Sequence, residues 1–423
     1  MAYDTSNNSP AGSNWAQSHD FVAETLQRPA DVGELRELVL AGGPIRVLGS
    51  RHSFTDLADT TGRLVSLDRF ALDLVIDEDA QTASFSPGIR YGDLATQLQA
   101  RGWALHNLAS LPHISVAGAV ATGTHGSGDR NGTLAAAVAA VEFIDGTGEL
   151  VRLGRDDADF DGAVVALGAL GIVSRITLDI EPTFEVRQDL YTGLPWEIAL
   201  DRFDEITASA YSVSLFTTWV GDAIEIAWLK SRTDAALPPD DLFGAVRQTI
   251  DLHMIPGQPA ANTTTQRGIP GPWNERLAHF KLGFTPSNGD ELQTEYLVPR
   301  AAIRPALEAV RELGPRIAPL LLISELRTMA ADRMWLSGAY DTDAVGIHFT
   351  WKKLPAEVRA LLPDIEAALL PLGARPHWGK VFAADAAQLE PLYPRLHDFR
   401  ALAARHDPDG VFRNGFLSRK VGI

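Results

Sequence analysis

The sequence predicts an α+β fold in two domains, and three observations carry that expectation. Up to about Pro182 the chain mixes short strands, loops and helices. Over residues 184–377 the segments lengthen into what reads as an antiparallel sheet with covering helices, and the tail, 381–423, is helical again. A length of 423 residues suits two domains or one large one. The expected division is a flexible tail over 1–15, a first domain over 16–182, a second over 183–377 and a C-terminal segment over 378–423.

In order along the chain, DVGELRELVLA (31–41) reads as an amphipathic helix with Leu35, Leu38 and Val39 on one side. A strand follows over Ile45–Ser50 and runs into a small-residue turn holding Arg51 and His52. Strands are expected at 64–68 and 72–77, a turn at Pro87-Gly88 and a helix over about 91–101. VEFIDGTGELVRL predicts a hairpin turning at Asp145-Gly146-Thr147-Gly148. In the second domain YSVSLFTTWV, IEIAWLK, ELQTEYLVP, LLLISELRTMA and AVGIHFTWK are the strand candidates, with a helix at about 300–313. A Pro/Thr/Gly-rich loop, 255–273, is either a lid or an excursion. No internal repeat is found.

Composition narrows the function. The net charge is −17, with a pI near 5.0, so neither nucleic acid nor an anionic membrane is expected as a partner. With no cysteine, disulfides, zinc–thiolate sites, iron–sulfur clusters and cysteine nucleophiles are excluded. The N-terminus lacks the basic start and apolar stretch of a signal peptide, and no apolar run is long enough to span a bilayer. The expectation is a cytoplasmic, soluble monomer.

Neither G-x-G-x-x-G after the first strand nor a G-x-x-x-x-G-K-[ST] loop occurs. A nucleotide would have to be held by backbone amides of small-residue loops. Two such loops exist: GSRHSF at 49–54, and LASLPHISVAGAVATGTHGSGDRNG from Leu108 to Gly132. Small side chains let backbone N–H groups reach phosphate oxygens. His52, on its own, reads first as a hydrogen-bonded loop residue, and also as a ligand, a base or a covalent anchor. Further on, Glu325 and Arg327 lie two apart on a strand and share a face, as do His348 and Thr350. Such a Glu-x-Arg pair reads either as a solvated ion pair of small value or, given its apolar flanks, as part of a buried polar pocket.

IRVLGSRHSF resembles the first pyrophosphate-binding loop of the vanillyl-alcohol-oxidase-type flavoproteins, and ASLPHISVAGAVATGTHGSG resembles their second. The resemblance runs from about residue 20 to the C-terminus and takes in YSVSLFT, GIPGPWNERL, SELRT, HFTW, RPHWGK and DPDGVFRN. It is greatest to the alditol-oxidising members.

The resemblance implies an FAD domain built from both chain ends, a cap domain between them, and FAD bonded covalently to His52. A second, cysteinyl link is impossible here. Gly49, Ser50, Arg51, His52 and Ser53 are expected to wrap the pyrophosphate, and Ser115, Gly118, Thr122, Gly123, Thr124 and His125 to complete the cradle. The backbone at Ile172 is expected on the adenine side, with Asn414 returning from the tail. His377 is expected at the cofactor, with simple packing as its alternative, as for Trp378. Glu325, Arg327, Thr350, Ser110, His348 and Lys380 are implied at the substrate face, where a polyol would find many directed donors and acceptors. Ser110 also borders the cofactor, and Ala109 the flavin's oxygen-reactive edge.

The implied reaction is hydride transfer from a terminal carbinol to the flavin, then reduction of dioxygen to hydrogen peroxide. Lys380 and His348 are the candidates to stabilise the alkoxide, with orientation of Lys380 as the alternative for His348, while Arg327 and Glu325 fix the farther hydroxyls. A lactone dehydrogenase of the same fold is the nearest rival. A metal hydrolase would need ligand spacing, such as H-E-x-x-H, that the chain lacks; a polyol-binding protein without activity would leave its chromophore unbleached.

Overall fold

The computed structural model describes residues 11–71, 73–284 and 289–423. Among them the chain forms three-, five- and ten-stranded sheets and a two-stranded one, and the α+β expectation holds. Near the N-terminus Thr25–Gln27 and Ile45–Val47 flank Arg63–Val65 in parallel. The helix Val32–Leu40 packs Leu35 and Val39 inward. Its N-cap is Asp31, whose carboxylate accepts the Glu34 N–H at 2.9 Å. The five-stranded sheet runs in the order Val75–Asp77, Thr82–Phe85, Gly171–Asp179, Val138–Asp145, Leu150–Gly154. The strand expected over 72–77 is thus shorter, and residue 72 lies outside the described residues. The expected helix over 91–101 is Tyr91–Gln99.

The ten-stranded sheet carries Glu185–Pro195, Ala223–Arg232, Ser212–Thr217, Leu321–Met329, Ala344–Lys352 and Glu291–Pro299 side by side in that order. All these neighbours are antiparallel. Helices Ile303–Glu312 and Pro355–Leu369 pack on the strand Glu291–Pro299 and on each other. The first presents Ile303, Ala306, Leu307 and Val310 to the core, at the spacing of one helical face.

The tail closes on the N-terminal region. Val411 O accepts the Ile45 N–H at 2.8 Å, and Phe412 O accepts from the buried Arg46 guanidinium at 2.8 Å. Residues 11–15, assigned to a flexible tail by sequence, are instead ordered against this region: Ala11 and Asn14 are buried. Residues 1–10 of that expected tail lie outside the described residues. Among the described residues no helix is long and apolar enough to cross a membrane.

Candidate active site

A cleft of about 1880 Å³ runs from the two small-residue loops to the inner face of the ten-stranded sheet. Register builds its polar end. Glu295 pairs with His348, His348 with Glu325 and Phe216 with Glu325, so four strands place one residue each in a single row. One pleat away, Arg327 and Gly346 are paired, and side chains two apart face the same way. An added Cβ on Gly346 would lie 2.9 Å from Glu295 Oε1 and 3.2 Å from His125 Cε1, so the bare backbone there makes room for the charged pair beside it.

Glu295 is the hub. Its Oε2 accepts from Lys380 Nζ at 2.6 Å, and its Oε1 accepts from Arg327 Nη2 at 3.1 Å. His125 Nε2 lies 3.1 Å from the same Oε1. Lys380 Nζ also reaches His348 Nδ1 at 2.6 Å, and His348 Nε2 meets Thr350 Oγ1 at 3.0 Å. With Nδ1 accepting from the lysine, the hydrogen-bond network assigns the ring proton to Nε2. Arg327 Nη1 donates to Ser110 Oγ at 3.1 Å, and its Nε lies 3.4 Å from Glu325 Oε2. His279 Nε2 meets Glu325 Oε1 at 2.7 Å. The segment before His279 is held by Lys230, whose buried Nζ donates to the carbonyls of Arg276, Leu277 and Ala278, each at 2.7 Å.

Burial and neighbouring charge set the protonation states. Burial alone would raise the Glu295 carboxyl, but the Lys380 charge, with His125 and Arg327, outweighs it and holds Glu295 well below its ordinary value. At Glu325 burial is outweighed in the same way by Arg327 and His279. His348 is pushed down to about 4, by burial first and then by Lys380. His279 also falls to about 4, through burial that Glu325 offsets only in part. Burial lowers Lys380 as well, against the pull of Glu295. At neutral pH the carboxylates are therefore ionised and both imidazoles neutral, and Lys380 holds its proton less firmly than an exposed lysine.

The loops form the other end. His52 lines the cleft, its Nδ1 2.8 Å from Ser50 O, and its ring falls to about 4 through burial, offset by that carbonyl. The Ser115 N–H donates to Ser50 Oγ at 3.1 Å, tying the two loops together. An added Cβ at Gly49 would come within 2.6 Å of Ser115 Oγ, so the two loops approach closely because that position is bare; at Gly118 it would come within 2.8 Å of the same oxygen inside the second loop. Gly123 has φ +65° and turns the chain after the helix Val116–Ala121. Thr122 and Thr124 Oγ1 lie 3.1 Å apart, and Thr124 reaches His377 Nε2 at 3.4 Å. Ser53 Oγ donates to Gly379 O at 3.2 Å. A bare-backbone cradle opening into a cleft well beyond the roughly 300–1,000 Å³ of a drug-sized site fits a dinucleotide.

Most expected residues thus line one cleft: Gly49–Ser53, Ala109, Ser110, Ser115, Gly118, Thr122, Thr124, His125, Glu325, Arg327, His348, Thr350, His377 and Lys380. Gly123 is not among the residues lining the cleft, and three others, Arg51, His125 and Asn414, need correction in detail. The Arg51 guanidinium turns to the carbonyls of Ala11 and Ser13. The His125 ring goes under the charged cluster toward Glu295. Burial of the Ile172 side chain in an apolar cluster with Leu35, Ile45 and Val411 does not bear on the expectation for its backbone, whose neighbours Gly171 and Val173 line the cleft. Asn414 caps the helix Gly415–Lys420 and donates Nδ2 to the carbonyls of Leu57 and Asp59 at 3.0 and 2.9 Å; it holds the loop beyond His52 and is not among the residues lining the cleft. Trp378 is a packing residue, its Nε1 donating to Leu336 O at 2.7 Å.

Sequence reasoning misses Glu295, His279 and Lys230. Alternation along Glu291–Pro299 does put Glu295 on one face with Gln293 and Glu291, so a signal exists there. His279 sits in an irregular segment and has none.

Residues 24–154 match the family described as FAD binding domain, and residues 288–420 the one described as D-arabinono-1,4-lactone oxidase. Fold and cleft together define an FAD-dependent oxidoreductase of the vanillyl-alcohol-oxidase type. Alditol oxidase of a Streptomyces species is 48% identical over 97% of this chain and 98% of its own. L-gulono-1,4-lactone dehydrogenase of Mycobacterium tuberculosis is 30% identical over 98% of this chain and 100% of its own. The chain belongs to the alditol oxidase family. Cholesterol oxidase from B. sterolicum shares the fold, with a TM-score of 0.79 at 15% identity, over 99% of this chain and 98% of that one.

Proposed function

We propose that the protein is an alditol oxidase. It converts the terminal hydroxyl of small polyols such as xylitol and sorbitol to the aldehyde and reduces dioxygen to hydrogen peroxide. The observation that carries this reading is the row Glu295–His348–Glu325 with Lys380, Arg327, Ser110 and Thr350 around it. A polyol is neutral and dense in hydroxyls, and this wall offers alternating donors and acceptors with its charges already paired. Family membership supports the same substrate class.

FAD held in this cleft would supply the redox chemistry, carrying two electrons from the carbinol to dioxygen. The protein's part is placement and charge. Gly49–Ser53, Ser115, Gly118 and Thr122–Thr124 hold the dinucleotide, and His52, a neutral imidazole on the cleft wall, is its covalent anchor. Lys380 and His348 hold the reacting hydroxyl and stabilise negative charge developing on its oxygen. Glu295 keeps Lys380 and Arg327 in place. Arg327, Glu325 and Thr350 bind the farther hydroxyls and so set the substrate's register.

Anaerobic mixing of the purified protein with a polyol panel, following flavin absorbance, tests the reading. Bleaching by xylitol or sorbitol and peroxide formation on admitting air are the expected results. Bleaching by aldonolactones alone, with no peroxide, would replace the reading with a lactone dehydrogenase.

A further inference from the structure

Residues 11–15, far upstream in sequence, pack against the first cradle loop around His52. Trp15 lies flat against the imidazole, with ring centroids 5.1 Å apart and planes inclined by 21°. Its backbone N–H donates to Arg51 O at 2.8 Å, fixing the residue before His52. Asn14 Nδ2 donates to Ser53 O at 3.0 Å, fixing the residue after it. Arg51 returns the contact by donating to the carbonyls of Ala11 and Ser13, and it does so from φ +65°, a conformation non-glycine residues adopt only when their surroundings impose it. Asn14 is itself locked, its Oδ1 accepting the N–H groups of Ser18 and His19 at 2.9 and 3.2 Å.

Resting on the reading of His52 as the flavin anchor, we infer that residues 11–15 form a clamp that presents the His52 ring for covalent attachment, with Trp15 as its positioning residue. Stacking closes one face of the ring and, together with the contact of Nδ1 to Ser50 O at 2.8 Å, restricts its rotation about the Cα–Cβ bond. In the attachment a bond forms between an imidazole nitrogen and the flavin 8-methyl carbon, while one methyl C–H bond and the ring N–H bond break. The two electrons enter the flavin and pass to dioxygen, which takes up both protons and leaves as hydrogen peroxide. An imidazole free to turn would reach the methyl carbon only in a fraction of its rotamers, and misplacement of that kind costs rate rather than cofactor affinity.

The test uses full-length wild type, Trp15→Ala, Trp15→Leu and Trp15→Phe, each purified with FAD present. Total FAD is measured alongside the share that stays with acid-precipitated protein. Trp15→Leu keeps apolar bulk without a flat face, and Trp15→Phe restores the face. Expected are near-normal total FAD in all four, a precipitable share reduced roughly tenfold in the Ala and Leu variants, and recovery in Trp15→Phe. A wild-type precipitable share in Trp15→Leu overturns the inference. Parallel loss of total and precipitable FAD in both Ala and Leu variants also overturns it, because Trp15 would then only support the loop. Wild-type protein whose flavin is wholly acid-soluble overturns the His52 reading itself.

Discussion

Lys380 Nζ lies 2.6 Å from His348 Nδ1, two basic groups side by side on the wall of the cleft. The pair holds one proton between two nitrogens, and the carboxylate of Glu295 on the other side of Lys380 makes that proton tolerable.

Removing the ammonium should therefore damage chemistry more than binding. For Lys380→Ala, flavin reduction by xylitol in anaerobic stopped flow should slow by about 10²–10⁴-fold. An unchanged rate constant would remove Lys380 from the mechanism.

Glu295→Gln leaves Lys380 and Arg327 without their shared counter-charge. Breaking a buried pair of this kind costs about 3–5 kcal/mol, to be read as a lower midpoint in urea unfolding. With Glu295 neutral the Lys380 proton is lost more easily, so the alkaline limb of the rate profile should move to lower pH. A profile that does not move would show that Glu295 is not what sustains the Lys380 charge.

His279 and His348 are both held near 4 in the fold against an ordinary value of 6.5. Between those values the unfolded chain binds protons that the native protein does not. Stability should consequently fall as pH drops from about 6.5 toward 4, by about 1.4 kcal/mol per pH unit for each ring. Thermal unfolding across that range checks the sign; a melting temperature that rises on acidification would contradict it.

Lys230 touches no substrate position, yet it gathers three carbonyls just before His279. Lys230→Met should release that segment, costing about 1–3 kcal/mol in stability. Loosening His279 and with it Glu325 should raise KM for polyols more than it lowers kcat. Equal losses in both would mean a general collapse of the cleft.

Much of this was legible in advance, and unevenly so. Glu291–Pro299 and Ala344–Lys352 match the segments ELQTEYLVP and AVGIHFTWK residue for residue, because long strands in a buried sheet are flanked by clear turn residues. In the first domain Val75–Asp77 falls short of its expected length. Short apolar runs there serve loops that line a cleft, and their composition does not separate loop from strand. Shared faces brought Glu325 beside Arg327 and His348 beside Thr350. Register is another matter: nothing local says that Glu295 sits opposite His348, since that pairing joins residues far apart in sequence. Asn414 shows the converse, a residue placed at the cofactor by resemblance whose side chain serves the loop behind it.

Asn414 also carries a consequence for biosynthesis. The stretch that follows His52 is fastened by a side chain made 362 residues later, so no nascent polypeptide emerging from a ribosome has a finished cradle until residue 414 has been made. Flavin capture should then be a late event. A chain stalled short of residue 414 should emerge with a folded cap sheet and little bound FAD.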